Sequence, residues 1–242
     1  MEENKFLIPI EHVEMICNDS KIDLNKITNC FLYGSHLHGS AESSSDYDLL
    51  IVGDIEQDQL VFRVKKDPYF YEFKRKSIEI EARKYDVIIH SNSNFEKLLE
   101  INFLMFIEPL YAEEKYKTIN TIDYKNLYLR HFHSVEKIKN SLENELRYST
   151  GTYTRFKLKK LGTELGGKWV LKKMFNAYRY YTSYLQFLLN GEFSDWGSLN
   201  QAKHSILESY SSKGDECIDR IYEDLILKID HLSKEINRIG SK

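Results

Sequence analysis

Cysteine is scarce in this chain. Cys17, Cys30 and Cys217 are three, scattered and odd in number, which fits neither a disulfide frame nor a zinc site. They read as reduced thiols, so the expected location is the cytoplasm. Long apolar runs are missing too. None approaches the roughly 20 residues of a membrane span, so no membrane partner is expected. The first residues, Met1-Glu2-Glu3-Asn4-Lys5, are acidic on balance and lack an apolar signal core. Excess positive charge is absent: the formal net charge is −3, which excludes a globally basic surface. Any polynucleotide site has to be a local patch. Internal repeats are absent, and low complexity is confined to one serine-rich stretch. What remains is an ordinary globular composition, 42% hydrophobic and 29% charged. Its 242 residues suffice for one large domain or two small ones.

That serine-rich stretch carries most of the chemical information. It runs Gly34-Ser35-His36-Leu37-His38-Gly39-Ser40-Ala41-Glu42-Ser43-Ser44-Ser45-Asp46-Tyr47-Asp48. Cys30-Phe31-Leu32-Tyr33 precedes it and Leu49-Leu50-Ile51-Val52 follows, so the pattern is strand, polar turn, strand. Residues two apart on a strand share a face, so Asp46 and Asp48 point the same way. Like charges at that distance repel unless a cation lies between them. Oxygen ligands of this kind suit a hard divalent ion, Mg²⁺ above all. Gly34 and Ser35 supply a tight turn with backbone N–H groups and a hydroxyl that can cradle phosphate oxygens. Ser45, directly before Asp46, either orients that carboxylate or simply closes the turn.

Gly-Ser, ten residues, then Asp-x-Asp resembles the signature of the DNA polymerase β-like nucleotidyltransferase superfamily. Gly39 and the ending Ser45-Asp46-Tyr47-Asp48 are most similar to a branch of predicted nucleotidyltransferases grouped with RNA-repair pathways. The resemblance implies transfer of a nucleoside monophosphate from an NTP, ATP among them, to an acceptor hydroxyl. Two Mg²⁺ ions, with Mn²⁺ an alternative, would be held by Asp46 and Asp48. A third carboxylate commonly completes such sites. Asp86, opening the apolar strand Tyr85–His90, is the leading candidate; Glu79 and Glu81 are its rivals. Where relatives carry a basic residue after Gly-Ser, this chain has His36. His36 and His38 read as turn histidines facing solvent.

Further along, the pattern predicts a helix over Pro9–Cys17 with Pro9 at its first position. Strands are expected at Ile27–Tyr33, Asp48–Val52, Tyr69–Lys74, Ser77–Ala82 and Tyr85–His90. A helix capped by Ser93 or Asn94 should run to about Glu108, before Pro109. The resemblance makes Asn102-Phe103 and Glu108 structural positions on it. Beyond residue 120 strand signals fade and amphipathic helices take over. Phe132, Val135, Ile138, Leu142 and Leu146 line one face. A helix over Lys168–Leu189 should stop at Asn190-Gly191. A short helix is expected after Ser198, and Asp215–Ile239 repeats apolar residues at helical spacing. The expectation is an α/β (α+β) fold: a catalytic domain over 1–120 with a mixed, antiparallel-leaning sheet, and a helical domain over 121–242 that closes over the nucleotide.

Within that helical half the resemblance points to Lys173 and Arg179 for the triphosphate. Relatives carry Lys-x-x-His-x-x-Arg where this chain has Asn176 in the middle. The pair is six residues apart, so only long side chains could bring both to one anion. Arg155, Lys157, Lys159 and Lys160, with Tyr153 and Phe156, form the densest basic and aromatic cluster, a candidate footing for a polynucleotide backbone. The acceptor stays open between an RNA 3′ end and a partner protein, since small relatives with this motif can adenylylate a tyrosine on a toxin partner. A non-catalytic nucleotide-binding module is the third reading. Oligomeric state and base preference are not legible.

Overall fold

The computed structural model of the protein describes residues 7–56, 62–64, 71–73, 76–158, 166–193 and 197–240. The chain divides into two compact units, Met1–Ser134 and Val135–Lys242.

The first unit opens with α1, Ile10–Asp19, for which Pro9 is the N-cap in extended conformation, one position earlier than the sequence suggested. β1 is Ile27–Tyr33, α2 a single turn at Gly34–Leu37, and β2 Tyr47–Gly53. β3, Phe62–Val64, and β4, Tyr71–Phe73, pair as a separate antiparallel ribbon. The ends of the strand expected at Tyr69–Lys74 lie outside the described residues. β5, Lys76–Ile80, and β6, Arg83–Ser91, form a hairpin whose turn residues Glu81 and Ala82 both have positive φ. That is the backbone a two-residue hairpin loop demands.

α3, Asn92–Glu100, is shorter than expected. Its cap is Ser91, whose hydroxyl accepts from the Asn94 N–H. Asn102 ends the run in left-handed conformation, φ 57°. Its buried amide bonds Phe132 O at 2.9 Å, and its carbonyl accepts from Tyr128 Oη at 2.7 Å and Ser134 N at 3.2 Å. Those contacts, distant in sequence, outweigh helical propensity and break the expected helix. α4, Leu104–Ile107, restarts it and leads into a 3₁₀ turn over Glu108–Tyr111. β7, Lys117–Asn120, and α5, Tyr124–Leu127, complete the unit.

The main sheet has the order β5-β6-β2-β1-β7. Among its described strands only β2 and β6 run parallel; the remaining pairs are antiparallel. On one face Cys30, Leu32, Leu49, Ile51, Tyr85 and Val87 bury against Val13, Ile16 and Cys17 of α1. On the other, Phe31, Leu50 and Ile88 are buried, with Phe31 stacked on Phe95 of α3 at 6.3 Å. Phe95 in turn meets Phe106 of α4 and Tyr124 of α5 edge-on. The sheet is therefore covered on both faces. All three cysteines are free and buried, and burial pushes the Cys17 thiol up to about 11. Such thiols are poor nucleophiles and poor metal ligands.

The second unit contains α6, Val135–Lys157, α7, Gly167–Asn190, α8, Gly197–Lys213, and α9, Ile218–Ile239. α7 ends on Gly191 at φ 75°, the left-handed cap expected of Asn-Gly. It packs against both α6 and α9, where Ile218, Ile221, Leu225, Ile229 and Ile236 are buried. No described helix is long and apolar enough to cross a membrane.

Candidate active site

The parallel register of β2 and β6 decides where the acids go. Tyr47 is level with Tyr85, and Asp48 with Asp86. Level residues of neighbouring strands share a face, and successive ones alternate. Tyr85 is fully buried toward α1, with Oη 2.6 Å from His12 Nδ1 and its ring 5.5 Å from that of Tyr47. Asp48 and Asp86 therefore point to the opposite face. There they form the row next to buried Leu50 and Ile88, and both are half-buried. Asp46 lies just before β2, two residues before Asp48. Its Oδ2 lies 2.8 Å from Nζ of Lys84, two residues before Asp86. The Lys84 ammonium is held above its ordinary range by the hydrogen bond it donates to Asp46 and by that residue's charge, with Asp86 and Glu79 adding to it.

The rival acids separate from Asp86. Glu79 stands opposite Lys84 in the β5–β6 ladder, one row away from Asp48. Glu81 lies in the hairpin turn with its carboxylate 3.3 Å from His12 Nε2, on the α1 side.

Gly34 brings the loop against this row. β1 ends at Tyr33, level with Asp48, and the chain turns at Gly34 with φ 70°. A Cβ there would collide with the Asp48 carboxylate, lying 2.9 Å from its Cγ. Ser35 is half-buried in the first turn of α2, and its carbonyl accepts from Ser40 N. Ser45 closes a turn: its hydroxyl accepts from Glu42 N at 2.8 Å, and its own N–H bonds Glu42 O.

The two loop histidines do not face solvent as expected. His36 stacks flat on Tyr47, ring centroids 4.0 Å apart and planes within 9°, and its Nε2 is 3.3 Å from Ser45 O. His38 is buried, with Nε2 3.2 Å from Oε2 of equally buried Glu108. An imidazole stacked on a tyrosine and another paired inside the fold hold the loop down. Sequence patterning misses both because each partner is reached only through the fold.

Among the described residues no group of three or more His, Cys, Asp or Glu is arranged to hold a metal ion. The Asp46 carboxylate is turned to Lys84. The donor chemistry nevertheless fits a hard divalent ion: Asp46, Asp48 and Asp86 offer oxygen only, and the missing Cβ at Gly34 lets the Asp48 carboxylate lie against the turn.

In the helical unit, Lys173 and Arg179 both act on one group. Glu145 is raised above its ordinary range by burial, and Lys173 and then Arg179 oppose that rise. Despite the six-residue spacing, both charges bear on one carboxylate through space. Lys173 Nζ lies 5.4 Å from the Tyr148 ring and 5.5 Å from that of Trp169. Arg179 is buried, with its guanidinium 4.4 Å above Tyr180. In the basic cluster, Arg155 bonds Gly151 O and Thr152 Oγ1 on its own helix, and Lys157 pairs with Asp219 at 2.7 Å. Lys159 and Lys160 lie outside the described residues.

The family model of the nucleotidyltransferase domain matches residues 16–149. That segment holds Gly34, Ser35, Asp46, Asp48, Lys84 and Asp86. Among solved structures, the chain is similar to a nucleotidyltransferase-like protein from Exiguobacterium sibiricum, at 13% identity and a TM-score of 0.33, over 96% of this chain and 77% of that one. No curated protein matches the chain.

Proposed function

The chain belongs to the nucleotidyltransferase domain family, and from that premise we propose that it transfers a nucleoside monophosphate from an NTP to an acceptor hydroxyl at the row formed by Asp46, Asp48 and Asp86. The observation that carries this reading is the level pairing of Asp48 with Asp86 on one face of the sheet, inside the matched segment.

The acceptor oxygen attacks the α-phosphorus. The new O–P bond forms as the bond to the β-phosphate oxygen breaks, and pyrophosphate leaves. Asp46 and Asp48 would hold Mg²⁺, which neutralises charge on the phosphate oxygens when bound. Asp86 accepts the hydrogen bond of the attacking hydroxyl and takes its proton. Gly34 keeps the backbone close to Asp48, and the Ser35 hydroxyl donates to a β- or γ-phosphate oxygen. Lys173 and Arg179, whose charges also bear on Glu145, are proposed to act on the triphosphate charge.

The acceptor is proposed to be an RNA 3′ end. A tyrosine of a partner protein is a second reading, favoured by one observation: Arg155 and Lys157, the described basic residues of the candidate polynucleotide patch, are engaged within the protein. Incubation with NTPs carrying labelled α-phosphate, total RNA and lysate protein tests both. Labelled RNA supports the first, labelled protein the second, and no label with any nucleotide leaves a non-catalytic module. Asp46→Asn and Asp48→Asn should each abolish labelling while the protein stays folded; wild-type activity in both would remove the metal-site assignment.

A further inference from the structure

Lys84 is a charged residue that the sequence motif does not bring forward. It shares a face with Asp86, its Nζ is 2.8 Å from Asp46 Oδ2, and Glu79 stands level with it on β5. The ammonium is thus set among Asp46, Asp86 and Glu79, with Asp48 in the next row. Carboxylates gathered at one edge of a sheet repel, and a cation among them offsets that repulsion. The neighbouring Arg83 does not serve this purpose, since its guanidinium lies 5.4 Å from the Tyr47 ring, and Tyr47 alternates to the other face.

We propose that Lys84 is the built-in counterion of this site: it holds Asp46 while no divalent ion is bound, yields that carboxylate to the ion, and then turns to the phosphate oxygens of the nucleotide. The proposal rests on the nucleotidyltransferase reading and adds to it a residue and an order of events. The side chains of Lys84 and Asp46 are 56% and 33% exposed. An ion pair so open to water is weak and its geometry is easily surrendered. Lysine is a compact charge on a flexible stem, able to swing from one oxygen partner to another without a change in backbone. A divalent ion carries twice the charge and can engage Asp46 and Asp48 together, so it outcompetes the ammonium. The displaced cation is then left beside the place where an anionic substrate must enter, and charge-assisted contact with phosphate replaces the one it lost.

The test measures Mn²⁺ binding to nucleotide-free protein by the paramagnetic signal of the free ion, for wild type, Lys84→Met and Asp46→Asn, with circular dichroism to verify folding. Lys84→Met should bind Mn²⁺ about threefold or more tightly than wild type, because its competitor for Asp46 is gone. The same variant should bind a non-hydrolysable NTP analogue, with Mn²⁺ saturating, more weakly than wild type. Lys84→Gln should repeat both shifts. Equal or weaker Mn²⁺ binding by the Lys84 variants, alongside binding by wild type that Asp46→Asn weakens, overturns the counterion role while the metal site stands. Tighter Mn²⁺ binding with unchanged nucleotide affinity overturns the swing to phosphate. No Mn²⁺ binding by any of the proteins overturns the metal site itself, and the proposal with it.

Discussion

The carboxylate of Asp48 fills the place where a side chain on Gly34 would go. A Cβ on Gly34 would stand 2.9 Å from Asp48 Cγ and closer still to Oδ2. Gly34 also adopts φ 70°, where residues with a Cβ are disfavoured. The glycine of the Gly-Ser pair is thus required twice: by the turn out of β1, and by the position of a proposed metal ligand.

Gly34→Ala should consequently cost stability and activity together. The left-handed backbone alone costs about 1–2 kcal/mol for a non-glycine residue, and displacement of Asp48 adds to it. Urea unfolding should show a loss of about 2 kcal/mol, and labelled transfer should fall to background. A variant as active as wild type would mean that the loop does not set the position of Asp48.

His36 and Tyr47 give a second expectation. Their stack spans the loop from α2 to the start of β2. His36→Ala should destabilise by about 1 kcal/mol, the usual worth of an aromatic pair. His36→Phe keeps the stack and should stay within about 0.5 kcal/mol of wild type. Thermal melts check both. If His36 were instead a metal ligand, Mn²⁺ affinity would drop equally in the two variants.

Much of this arrangement is legible in the sequence, and what is not has a common cause. β1 is Ile27–Tyr33 as read, and α7 stops where Asn190-Gly191 says it must. In each case the signal is local: an apolar run, or a residue that tolerates positive φ. β7 escapes because Lys117-Thr118-Ile119-Asn120 has little strand character of its own. It exists by pairing with β1, where Asn29 is level with Asn120. The break at Asn102 escapes for the same reason, since Tyr128 and Ser134 supply its partners. In the candidate site the spacing of Asp46 and Asp48 is local, and so readable. The level placement of Asp86, the Lys84 contact and the buried His38–Glu108 pair depend on strand order and helix docking.

Acid should weaken the first unit through His90. The imidazole is 2% exposed beside Phe106, and burial lowers its pKa from 6.5 to about 4. Between those values the unfolded chain binds a proton that the folded chain refuses. This contribution to stability is whole above pH 6.5 and is lost as pH falls toward 4, by up to about 3 kcal/mol. Urea unfolding at several pH values should show this fall in wild type, and His90→Leu should show a shallower one. Equal slopes in the two proteins would assign the acid sensitivity to the carboxylates alone.

Arg179 has two possible duties, and Glu145 separates them. The guanidinium is buried and acts on the Glu145 carboxyl, which burial raises and which Lys173 and Arg179 hold down. Removing Arg179 should raise that carboxyl further. A raised acid keeps its proton in the folded state after the unfolded chain has lost it, so the penalty is small below the ordinary value of 4.5 and grows as pH rises through the folded value. Arg179→Ala should therefore lose stability at pH 7 and lose less at pH 4. Glu145→Gln in the same background removes the stranded carboxylate and should return most of that stability. Triphosphate affinity answers differently. If Arg179 bears on the nucleotide, KM for NTP stays raised in the double variant although its melting temperature recovers. If KM recovers together with stability, Arg179 serves Glu145 alone, and the triphosphate role assigned to it is wrong.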